Sequence, residues 1–139
     1  MSISLPQPDL SVKLRLDPYA PRAARHHVGQ VDRPSPDLRD AVMLLTSELV
    51  TRAVQHSVSP SEDILELRVW MPGDVVRVEV RGASELLTLR SAESRGTEYE
   101  LLLLDSVADR WSVDSGEGDA CMWFEIDRHP STEGVPAGI

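Results

Sequence analysis

The segment SPDLRDAVMLLTSELVTRAVQH, Ser35 to His56, decides how this chain folds. Ser35 is a natural N-cap, because its hydroxyl can accept one of the backbone N–H groups left unpaired at a helix start. Pro36 suits the first helical position, where no amide hydrogen is needed, and Asp37 favours the positive end of the helix dipole. Leu38, Val42, Leu45, Leu49 and Ala53 then recur every three or four residues, which predicts one long helix with a single buried stripe ending near His56.

Such a stripe needs a surface to cover it, and the flanking sequence supplies one. Upstream, SVKLRL (residues 11–16) alternates polar and apolar residues as a half-buried strand does, and Pro21 opens a short helix to about Val31, with Gly29 weakening its end. Downstream, ILELRVWM (64–71) and VVRVEVRG (75–82) read as an antiparallel hairpin turning through Pro72, Gly73 and Asp74. Residues 83–96 are polar and read as a loop or lid. Leu101 to Trp111 resumes a helical pattern, and a last hairpin, about Ser112–Asp114 and Ala120–Asp127, turns through SGEGD. The order β-α-α-β-β-loop-α-β-β predicts an α+β fold: a two-layer sandwich of an antiparallel or mixed sheet with helices on one face. The expected organisation is a flexible segment over 1–10, one domain over 11–128 and a flexible tail over 129–139.

Composition sets the bounds on function. A chain of 139 residues with 41% hydrophobic and 27% charged residues has room for one core. Its net charge of −9 argues against direct nucleic-acid binding, which depends on Lys and Arg displacing counterions from phosphates. A basic partner is the more natural expectation. No apolar run approaches membrane-spanning length and no N-terminal signal is apparent, so the expected location is cytoplasmic, with no membrane partner. The lone Cys121, in the run ACMWFEI, reads as a buried inert thiol. His26 and His27 read as surface residues with no companions for a metal site, and His56 as a partner for the helix C-terminus. Of the three tryptophans, Trp111 and Trp123 are expected in the core and Trp70 at a surface.

Four segments, in order, resemble one family. ELVTRAVQHS (48–57) is similar to an ELVTNAVRHA-type box, VVRVEVRGAS (75–84) to a strand ending in VRDAS, DSVADRWSV (105–113) to the helix end ALADRWGV, and GDACMWFEI (118–126) to the closing strand GKTVWFEL. Together they resemble the Bergerat-fold, histidine-kinase-like ATPases, in particular the small actinobacterial branch of anti-sigma-factor serine kinases. The resemblance implies the Bergerat architecture over about residues 11–127. It also implies a nucleotide site with definite parts: an Asn that helps hold magnesium, a general-base Glu four residues earlier, an Asp that receives the adenine amino group, and a Gly-x-Gly turn facing the phosphates. Magnesium wants oxygen ligands, and phosphates sit on backbone amides at a glycine-rich helix start.

Carried over residue by residue, these parts are degenerate. Glu48 matches the family's Glu, but Arg52 stands at the Asn position and has no acceptor oxygen for a metal. Gly82 replaces the adenine-reading Asp, and Glu98 and Glu100 fall where the turn glycines belong, with Gly96 a few residues too early. Glu48 is then either a residual catalytic base or a polar-face acid paired with Arg52, an i,i+4 contact worth a few tenths of a kcal/mol at an exposed site. Arg52 is either a plug in a vacated pocket or a cation that grips a phosphate in place of magnesium.

The function expected from this is a regulatory protein-binding module resembling an anti-sigma factor, with no cofactor and no metal. Its partner would be a sigma factor, an anti-sigma antagonist or another transcription regulator, met through Glu98, Glu100, Asp105 and Asp109. The alternative is an ATP- and magnesium-dependent serine/threonine protein kinase acting on an anti-sigma antagonist, with Glu48 as base. The resemblance also implies a homodimer, to which the edge strand SVKLRL would contribute.

Overall fold

The computed structural model describes residues 7–31, 36–59, 62–71, 74–87, 103–116 and 118–127. Strand β1 (Leu10–Arg15) leads into helices α1 (Ala20–Val31) and α2 (Pro36–His56). Strands β2 (Ile64–Trp70) and β3 (Val75–Ala83) follow, with a 3-10 turn at Ser84–Leu86. A helical stretch at residues 103–107 precedes β4 (Arg110–Ser115) and β5 (Asp119–Asp127). The five strands form one sheet in the order β1-β2-β3-β5-β4, and every pairing is antiparallel. The α+β arrangement matches the expectation from sequence, and β1 and β4 are the two sheet edges.

Strand periodicity sorts side chains between the faces. On the helix side Leu65, Leu67 and Val69 of β2, Val76, Val78 and Val80 of β3, and Met122 and Phe124 of β5 are fully buried. They meet Ala24 and Val28 of α1 and Val42, Leu45, Leu49 and Ala53 of α2 in one core. The stripe read on the long helix is therefore the packing surface, each large side chain contributing about 1.5–3 kcal/mol of burial. The buried arc of α2 is wider than that stripe, because it also takes in Thr46, Ser47, Val50 and Arg52.

Five expectations are corrected. The helix expected over Leu101–Trp111 gives way to strand β4 from Arg110, where Trp111 and Val113 lie opposite Phe124 and Met122 on the core side. Cross-strand packing outweighs a helical repeat that could be continued through Val107 and Ala108. Within the segment read as a polar loop, Leu86 and Leu87 are buried, folded inward by the 3-10 turn, whose first amide donates to the Gly118 carbonyl. Trp70, expected at a surface, is 5% exposed, in register with Arg77 on β3. Trp123, expected in the core, is instead half-buried on the outer face, 4.3 Å from the Arg77 guanidinium, because strand alternation turns Met122 and Phe124 inward. Cys121 is half-buried and points to the outer face, since strand alternation places Ala120 and Met122 inward. The Pro72–Gly73 turn and the Ser35 cap lie outside the described residues.

Gly118 has φ of 85°, a left-handed conformation that favours glycine, and it closes the β4–β5 hairpin. The Gly116 amide donates across that turn to the Asp119 carbonyl at 2.8 Å.

Candidate functional site

Helix α2, which carries Glu48 and Arg52, packs on β3 and on the 3-10 turn that follows it, and Gly82 lies near the end of β3. Arg52 is 2% exposed, while Glu48 is half-buried. Both engage in polar or electrostatic interactions. The expected exposed contact is thereby corrected: Arg52 is a buried cation, and stripping a buried ion of its partners costs about 3–5 kcal/mol rather than a few tenths.

A side chain at Gly82 would crowd its neighbours. A Cβ there would stand 2.9 Å from Leu65 Cδ1 and 3.5 Å from Leu86 Cδ1, and both leucines are buried. A longer side chain would have to displace part of the core. The ground beside Gly82 is thus apolar, sealed by one leucine from β2 and one from the 3-10 turn. The period-two pattern of β2 foretold an inward Leu65, but nothing local to Gly82 announced that Leu65 would reach it from the neighbouring strand.

Glu98 and Glu100 lie outside the described residues. Asp105 and Asp109 are exposed, and each has a structural task. Asp105 Oδ1 accepts from the Trp111 indole Nε1–H at 2.8 Å, and Asp109 Oδ2 accepts from the Asp127 backbone N–H at 2.7 Å. Both hold β4 in place. Among the described residues, no group of three or more His, Cys, Asp or Glu side chains could hold a metal ion.

The outer face of the sheet carries a charge network that no single motif disclosed. Arg77 Nη1 donates to Glu125 Oε2 at 2.9 Å, Arg77 Nη2 to Glu79 Oε2 at 3.0 Å, and its guanidinium lies 4.3 Å from the Trp123 ring centroid. Arg110 Nε donates to Glu125 Oε1 at 2.8 Å, and its terminal nitrogens donate to Asp127. Burial would raise the Glu125 pKa, but the hydrogen bonds from Arg110 and Arg77 together outweigh it and hold the carboxyl below its ordinary value. The bonds to Asp127 and Glu125 raise Arg110. Beside this network is an open concavity of about 350 Å³ lined by Arg77, Glu79, Arg81, Asp114, Cys121 and Trp123. Burial, then the charge of Glu79, raises the Cys121 thiol pKa, which disfavours the nucleophilic thiolate. The signal for this face was the strict alternation in VVRVEVRGA and CMWFEID, which places Arg77, Glu79, Trp123 and Glu125 on one side.

No helix among the described residues is long and apolar enough to cross a membrane. No family model matches the sequence, and no curated protein matches it, so the chain's role is read from its own residues.

Proposed function

We propose that this chain is a regulatory protein-binding module of the Bergerat type, similar to an anti-sigma factor, in which the nucleotide site has been closed. The single observation that carries the reading is Arg52, 2% exposed on the long helix at the position where the resemblance calls for a magnesium-binding Asn. A buried guanidinium offers five donors and no acceptor, so it repels a metal ion and cannot ligate one. Gly82 supports the same reading, because the adenine-reading carboxylate is missing and Leu65 crowds the space it would need.

With that chemistry gone, the product of the fold is surface. The partner would be a sigma factor, an anti-sigma antagonist or another transcription regulator, and the chain would work as a homodimer through its N-terminal edge. The competing reading, a serine/threonine protein kinase with Glu48 as base, rests on Glu48 sitting half-buried on the same flank of α2.

Incubating the protein with magnesium and γ-labelled ATP, alone and with serine-bearing acceptor proteins, separates the two. The proposal predicts no label above a Glu48→Gln control. Transfer to serine or threonine that the Glu48→Gln substitution abolishes would establish the kinase.

A further inference from the structure

The acidity of the chain is not uniform. Helix α1 carries Arg22, Arg25, His26 and His27 and no Asp or Glu, in a protein of net charge −9. Where α1 meets the first half of α2, the two helices leave an open groove of about 300 Å³ lined by Arg25, His26, Gly29, Arg39, Asp40 and Met43. Arg25, His26 and Arg39 are exposed. On the sheet, Arg68, Arg77 and Arg110 are each tied to a carboxylate. Arg25 and Arg39 have no such tie among the described residues, although Asp40 lines the same groove.

Gly29 shapes the groove. It lies on the same side of α1 as Arg25 and His26, one turn on, and a Cβ there would approach Met43 Sδ to 3.3 Å. The absence of a side chain lets Met43 of α2 approach α1 and leaves bare backbone in the groove wall.

We propose that this groove binds an acidic peptide segment of a protein partner, with Arg25 and Arg39 receiving separate carboxylates along it. Guanidinium groups take carboxylates in two-pronged hydrogen bonds, and neither Arg25 nor Arg39 is tied to a carboxylate among the described residues. Asp40 decides the ligand class. Because Asp40 lines the same groove, a compact polyanion would meet its negative charge, whereas an extended chain can space its carboxylates and present a backbone N–H to Asp40. The groove is open rather than enclosed, which suits a chain lying across it rather than a buried small molecule. Beyond about 8–10 Å the chain's overall negative charge is screened at physiological salt, so an acidic segment can approach this basic strip. The inference rests on the protein-binding reading above only in taking the ligand from a protein; it does not depend on the state of the nucleotide site.

The test is fluorescence anisotropy of the full chain with a labelled Glu-rich peptide at physiological ionic strength, with a Lys-rich peptide as control. The expected result is saturable binding of the acidic peptide alone, weakened about tenfold or more by Arg25→Ser combined with Arg39→Ser and unchanged by Arg81→Ser on the sheet. Circular dichroism of each variant confirms that the helices are intact. Absence of saturable binding, equal loss in Arg81→Ser, or full binding by the double variant overturns the proposal. Displacement of the peptide by inorganic phosphate at low millimolar concentration also overturns it, because the site would then be one for free phosphate. Tight Mg-ATP binding with peptide binding intact would defeat the closed-site reading and leave this one standing.

Discussion

Arg52, Gly82 and Thr46 each carry a different physical lesson. Gly82→Asp, the change that would place a carboxylate where the resemblance calls for one, should cost about 1–3 kcal/mol in thermal or denaturant unfolding, since its Cβ meets Leu65 at 2.9 Å. Adding Leu65→Ala should relieve the crowding while leaving its own cavity cost, so the two changes should be non-additive. Arg52→Asn alone should not create ATP binding, because Gly82 and its leucine cover remain. Thr46 offers the opposite case: its hydroxyl is fully buried with no hydrogen-bond partner among the described residues. Thr46→Val keeps the shape and removes the unsatisfied group, so unfolding free energy should rise by about 1 kcal/mol. A drop instead would mean that the hydroxyl has a partner in the folded protein.

The elements were largely legible before the structure. Pro21 placed α1, a capping serine, a proline and a 3.6 period placed α2, period-two alternation placed β1, and strand-like runs placed β2, β3 and β5. Legibility failed where tertiary contacts decide. Val107 and Ala108 fit a helix, yet Trp111 and Arg110 belong to an edge strand held by partners elsewhere in the sequence: Asp105 on the indole, Glu125 and Asp127 on the guanidinium. The same limit hid the site. Position 52 could be seen to carry a cation, but not that the cation is buried, because burial depends on what the rest of the chain folds against it.

That network makes a prediction for the element it holds. Glu125 has a folded-state pKa below its ordinary value of 4.5. Its contribution is therefore full above the unfolded pKa and is lost as pH falls from about 4.5 through the lower folded value. Amide exchange in β4 should accelerate over that acid window before the core of β3 does, and Glu125→Gln should give much the same loosening at neutral pH. Arg77→Ala removes the guanidinium from Glu79, which is 6% exposed, and should cost about 2–3 kcal/mol; adding Glu79→Gln should recover part of it.

At the scale of the whole molecule, the helix layer covers one sheet face, the outer face is tied into ion pairs, and β1 and β4 remain as edges. Lys13 and Arg15 on β1 are exposed and give that edge partial protection from indiscriminate pairing. The proposed homodimer would cover it, and light scattering across the micromolar range should report twice the chain mass; a single-chain mass throughout would remove the dimer. The central claim is that the fold no longer holds nucleotide, and calorimetric titration with Mg-ATP tests it most directly. A site with a dissociation constant of about 10 μM would, at about 1 mM ATP, add about 2.7 kcal/mol of stability, so thermal unfolding provides a matching readout. The account predicts no saturable heat and no shift in unfolding temperature. Saturable micromolar binding, with the corresponding rise in unfolding temperature, would contradict it.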